Sequence, residues 1–114
     1  MSEILSMLQG KSVDAICFVH NYIEIIIDGN VLRVFVKATL CKNGVSSASR
    51  DALCSVIGLD VEAVTIGASI ELSLCGGARL IIPLSDAASS GPEMAQFVPR
   101  SADGTYDLEH MYTW

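Results

Sequence analysis

The sequence predicts one α+β domain: an antiparallel β-sheet of six to eight strands with two short helices, built from two helix-β-β-β repeats. Three observations lead there. Apolar and β-branched runs such as Ile25-Ile26-Ile27 end in Gly-centred turns such as Asp28-Gly29, the signature of hairpins. Two stretches of the chain share a pattern at a nearly constant offset. The chain has 114 residues, 51% of them apolar and 18% charged, which suits a single core and excludes intrinsic disorder. At this size roughly two thirds of the unfolded surface is buried on folding, so no metal or disulfide staple is needed.

In the repeat, residues 8–19 align with 56–67: Gly10 with Gly58, Val13 with Val61, Asp14 with Glu62, Ala15 with Ala63 and Ile16 with Val64. One deletion later, Ile23-Glu24-Ile25 matches Ile70-Glu71-Leu72, and Leu32 and Val34 match Leu80 and Ile82. Repeat one spans 2–37, repeat two 49–83, and a C-terminal strand and arm 84–114, all within one domain.

The elements follow in order. Residues 2–9 read as a helix, with Ile4, Leu5 and Leu8 on one face, Ser2 as N-cap and Gly10 as stop. Strands are expected at 12–19, 22–28 and 31–37. On the first of them Val13, Ala15, Cys17 and Val19 share one face, and Ile16 and Phe18 the other. Residues 38–48 read as a Ser/Gly-rich linker, packed through Leu40 and Cys41. Residues 49–57 form the second helix, with Ser49 as N-cap, Leu53, Val56 and Ile57 facing inward and Gly58 as stop. Strands at 61–66, 69–75 and 78–83 surround the Gly76-Gly77 turn. A long loop at 84–93 leads to a seventh strand at 94–98, a turn at 100–104 and a terminal strand or arm at 105–114.

Charge and motifs narrow the function classes. The net charge is −6. Residues 1–57 are balanced, so the excess falls in residues 58–114, where eight carboxylates face only Arg79 and Arg100. Direct nucleic-acid binding needs a basic face and is not expected; a basic protein partner is. Mean hydropathy is +0.47, yet the longest apolar stretch, 22–36, is broken by Glu24, Asp28, Asn30 and Arg33. No membrane association is expected, and with no basic segment ahead of an apolar one at the N-terminus, the cytoplasm is the expected compartment. Cys17, Cys41, Cys54 and Cys75 have no C-x-x-C spacing and read as small buried hydrophobes rather than metal ligands or disulfides.

No enzyme, cofactor or metal is expected. His20 falls at a hairpin turn, and His110, beside Glu109, lacks an activated Ser or Cys partner. HExxH, DxDxDG, GxSxG and Walker patterns are absent. The tail is the unusual segment: Tyr106, Tyr112 and Trp114 interleave with Asp103, Asp107 and Glu109. Aromatic anchors in an acidic rim suit docking on a basic protein, and they equally suit a last strand that closes the core. The expected partner-binding residues are Asp86, Glu93, Asp103, Tyr106, Asp107, Glu109, Tyr112 and Trp114.

The Gly76-Gly77 hairpin, the strand Leu80-Ile81-Ile82-Pro83-Leu84-Ser85, the segment Gly91-Pro92-Glu93-Met94-Ala95-Gln96-Phe97 and the C-terminal Trp114 resemble small bacterial immunity proteins. With the Leu-x-Gly-x-x-Val pattern leading into the strands, the resemblance covers about residues 8–114. These proteins neutralise polymorphic toxins, including those of contact-dependent growth inhibition. The resemblance implies a non-catalytic cytoplasmic protein that binds and covers one cognate toxin domain, often a nuclease. Its motifs are structural, so it transfers no interface residue. The alternative reading is a small-ligand-binding or regulatory domain that uses the sheet as a pocket floor.

Overall fold

The first strand sets the pattern of the fold by breaking its own alternation. In the computed structural model, which describes Ile4 and residues 7–84, 94–101, 103–107 and 111–114, β1 (Val13–Val19) pairs with β2 (Tyr22–Ile27). Val13 faces Ile27 and Ala15 faces Ile26, so the register shifts by one residue between them. This bulge turns the strand over. Val13 therefore joins Ile16 and Phe18 against the core, while Val19 is exposed. The expected face of Val13, Ala15, Cys17 and Val19 is corrected accordingly. The same irregularity recurs in β6 (Val61–Ile66), between Val61 and Ala63, and there Val61, Val64 and Ile66 pack inward.

The chain continues through β3 (Asn30–Val34), β4 (Thr39–Lys42), β5 (Val45–Ser47) and a short helix α1 (Arg50–Cys54). After β6 come β7 (Ser69–Leu74), β8 (Arg79–Pro83), β9 (Ala95–Val98) and β10 (Tyr112–Thr113). The expected single sheet is corrected to two five-stranded antiparallel sheets, ordered β1-β2-β3-β9-β10 and β5-β4-β8-β7-β6. After β3 the chain leaves the first sheet and lays β4 beside β8; after β8 it returns and lays β9 beside β3. Each sheet is thus completed by strands from the other half of the chain. A description as helix-β-β-β twice is too simple, because β4, β5, β9 and β10 lie outside that unit.

Helix is scarce. Ser49 caps α1, its hydroxyl accepting from the Ala52 amide at 3.2 Å, and Arg50 lies 5.1 Å over the Phe18 ring. The helix ends at Cys54 rather than 57. Of the segment expected over 2–9, Ile4, Met7 and Leu8 are helical, while Ser2 and Leu5 lie outside the described residues. The linker expected at 38–48 is a hairpin, β4 and β5 joined at Asn43-Gly44, both at positive φ. The cysteines are free and only half-buried, not core residues.

One core joins the sheets. Ile25, Ile27, Leu32, Val34 and Phe97 of the first pack in the same cluster as Ile70, Leu72, Leu74, Leu80 and Ile82 of the second. Each such side chain, taken fully out of water, contributes on the order of 1.5–3 kcal/mol. The starts of β1 and β6 are tied by reciprocal backbone bonds: Gly10 N–H to Val61 C=O at 2.8 Å and Gly58 N–H to Val13 C=O at 2.7 Å. Ser12 and Asp60 form a bridge between them, with the Ser12 hydroxyl donating to the Asp60 carboxylate at 2.6 Å. No helix among the described residues is long and apolar enough to cross a membrane.

Candidate functional site

The segment after β9 folds back on itself as a small hairpin. Arg100 and Tyr106 form a bridge, the Ser101 amide donates to the Thr105 carbonyl at 2.7 Å, and the Asp107 amide donates to the Pro99 carbonyl at 2.8 Å. Asp103 fastens the tip, where its carboxylate accepts from the Thr105 hydroxyl at 2.7 Å and the Thr105 amide at 3.0 Å. Those two bonds, the hydroxyl first, hold the Asp103 carboxyl below the ordinary carboxylate range. Tyr106 leaves 56% of its surface in solvent.

The base of this hairpin is held to the β2–β3 turn. Asn30 is the one buried polar side chain among the described residues. Its amide nitrogen donates to the Ile27 carbonyl at 3.0 Å, and its oxygen accepts from the Arg100 amide at 2.8 Å. Both ends of the Asn30 amide are therefore used to lock two turns together, a satisfied arrangement for a buried group. The turn is Asp28-Gly29, with φ of 49° and 83°. Between the turns lies a cleft of about 420 Å³, bordered also by Lys11 and Asp107. Lys11 lies 3.6 Å from the Asp28 carboxylate.

The expected site residues divide into three groups. Asp103, Tyr106 and Asp107 come together on the hairpin. Tyr112 and Trp114 do not join them: Tyr112 lies 6.5 Å from the Phe97 ring, Trp114 stacks on Tyr112 at 6.2 Å, and both pack partly against the core. The Trp114 amide donates to the Ala95 carbonyl at 2.8 Å, and the Trp114 carbonyl accepts from the Met94 amide at 2.7 Å. These two aromatics close the first sheet. Asp86, Glu93 and Glu109, like His110, lie outside the described residues.

Lys11, Asp28, Asn30 and Arg100 border the site and were not singled out from the sequence. The Asn directly after Asp-Gly was the only local hint, and its burial is visible only in the structure. Among the described residues no group of three or more His, Cys, Asp or Glu side chains could hold a metal ion. Compared with protein-family models, with curated proteins and with solved structures, the chain matches none.

Proposed function

We propose that this chain is an immunity protein of the kind its sequence resembles: it binds a basic cognate toxin domain, nuclease in type, and covers the surface that the toxin needs for its substrate. The observation that carries this reading is the hairpin at 100–106, which holds Asp103 ionised and Tyr106 outward on a backbone fixed from within by Asn30. An exposed aromatic on the same hairpin as a hydrogen-bonded carboxylate can supply a desolvated centre and a complementary charge. The chain acts by occlusion and carries out no chemistry of its own, needs no cofactor and works in the cytoplasm, where such toxins act.

The finer structural reading belongs here as well. The matching bulges of β1 and β6 and the reciprocal bonds at their starts, spaced by 48 residues at Ser12 and Asp60, support descent from a duplicated unit whose final hairpins were exchanged between sheets.

The test is co-expression with the C-terminal domain encoded by the upstream reading frame. The parent chain protects the cell and forms a complex, and Asp103→Lys, Asp107→Lys and Glu109→Lys together slow association and flatten its salt dependence. A parent that neither binds nor protects sinks the toxin reading. A triple variant that behaves as the parent leaves the toxin reading and removes the hairpin as its site.

A further inference from the structure

The two sheets end in four edge strands: β1 and β10 in the first, β5 and β6 in the second. β10 and β5 have two and three residues, and edges that short resist pairing with another chain. β1 is different. It runs for seven residues, and among the described residues backbone bonds reach its outer side only at Val13, from Leu59 and Gly58. Its bulge lies between Val13 and Ala15, so the strand is regular from Ala15 to Val19. That stretch, Ala15-Ile16-Cys17-Phe18-Val19, has none of the charges or prolines that blunt an edge. Val19 is 42% exposed, and Ile16 and Phe18, although packed against the core, stay half-buried.

The ladder to β2 fixes which groups face outward. Val19 and Tyr22 close the hairpin across His20 and Asn21, so they form a hydrogen-bonded pair, and the pattern alternates back along the strand. Cys17 and Ala15 thus turn their amides and carbonyls toward β2, while Ile16 and Phe18 direct theirs away from it. An antiparallel copy of the same strand meets these groups in one symmetric register. Ile16 comes opposite Phe18 of the other copy, Phe18 opposite Ile16, and Cys17 opposite Cys17 on the two-fold axis. Ala15 and Val19 then face each other on the outer side, apolar against apolar. The exposed Asp14 of each copy comes to the end where the other's exposed His20 lies, so an acid meets a base there.

We infer that the chain forms a two-fold dimer by pairing β1 with β1 of a second copy about Cys17, which continues the first sheet of one copy into that of the other. Two observations favour a second copy as the occupant of this edge. The row is complementary to itself, as a two-fold interface requires. The charge is also placed for it: each chain carries −6, which opposes self-association, but the excess falls in residues 58–114, and residues 1–57, which hold β1, are balanced. β6, the other long edge, lies in the acidic half and begins beside the exposed Glu62. The paired edge is short, so the dimer is a weak one, at the small end of interface sizes. The inference is independent of the toxin reading.

The experiment is sedimentation of the full chain from micromolar to millimolar concentration, with a parallel treatment by diamide, which takes two electrons and two protons from a pair of thiols. The mass is expected to rise from one chain to two. Residues opposite each other at a position without ladder bonds lie about 4.5 Å apart at Cα, within the span of a disulfide. Diamide therefore links the dimer through Cys17: Cys17→Ser abolishes the link, and Cys41→Ser, Cys54→Ser and Cys75→Ser keep it. Cys17→Lys sets two like charges against each other on the axis and weakens the dimer about tenfold. Thr65→Lys, at an exposed position of β6, leaves it unchanged. Thermal unfolding of each variant separates lost pairing from lost folding; if Cys17→Lys unfolds, the Cys17→Ser cross-link decides. A chain that stays monomeric to millimolar concentration overturns the inference. So does a dimer that Thr65→Lys dissociates, or one that Cys17→Lys leaves intact and diamide links through another cysteine. A monomer whose Cys17→Lys variant loses its complex with the toxin domain overturns self-pairing and gives the edge to that partner.

Discussion

Replacing Gly29 by alanine probes the close approach of the Arg100 side chain to the β2–β3 turn. Two effects combine at this position. The left-handed backbone at φ 83° costs an alanine about 1–2 kcal/mol. The new methyl would also fall 2.4 Å from the Arg100 Cδ, well inside van der Waals contact, so the arginine must leave its rotamer. That displacement adds about 0.5–1.5 kcal/mol, the cost of an off-rotamer side chain. Gly58 supplies the reference, because its φ is 91° and nothing lies within 4 Å of its virtual Cβ. Gly58→Ala should therefore cost about 1–2 kcal/mol and Gly29→Ala about 1.5–3.5 kcal/mol. Urea unfolding of Gly29→Ala, Arg100→Ala and the double variant measures the coupling directly. Removing the arginine side chain should relieve about 1 kcal/mol of the Gly29→Ala penalty. Equal penalties at Gly29 and Gly58, with no relief in the double variant, would refute the seating of Arg100 over the turn.

Two further expectations follow from the hairpin and the tail. Trp114→Ala should lower stability by about 1–3 kcal/mol, because the indole stacks on Tyr112 against the core; a loss below about 0.5 kcal/mol in thermal unfolding would mean that the tail is surface decoration. The Asp103 carboxyl titrates lower folded than unfolded, so the unfolded chain binds its proton more readily and stability rises with pH through this group. Its contribution is present above the unfolded value, about pH 4, and disappears as pH falls through the lowered folded value; Asp103→Asn should flatten the acid limb of a stability–pH curve, and an unchanged limb would contradict the role given to Thr105.

Local chemistry made most strands readable from the sequence. The β-branched run at 25–27, the Asp28-Gly29 turn and the Gly76-Gly77 break delimit β2, β7, β8 and the start of β3 to within a residue, because hairpin turns and strand propensity act over a few neighbours; β3 itself ends at Val34 rather than 37. The Asn43-Gly44 turn carried the same signal, but it sat among serines with little apolar alternation, so its hairpin read as a linker. Only part of the acidic hairpin was visible: the turn at 100–104 was, but the return of 105–107 onto 99–101 read as the start of a terminal strand or arm. Tertiary structure alone decided the rest. The bulges that reverse β1 and β6 depend on what each strand meets across the ladder, and the split into two sheets depends on β9 finding β3 rather than β8. The cleft depends on Asn30 reaching Arg100 across 70 residues of chain. Composition and spacing act locally and carry no trace of such pairings, which are selected by one shared core that buries both sheets together.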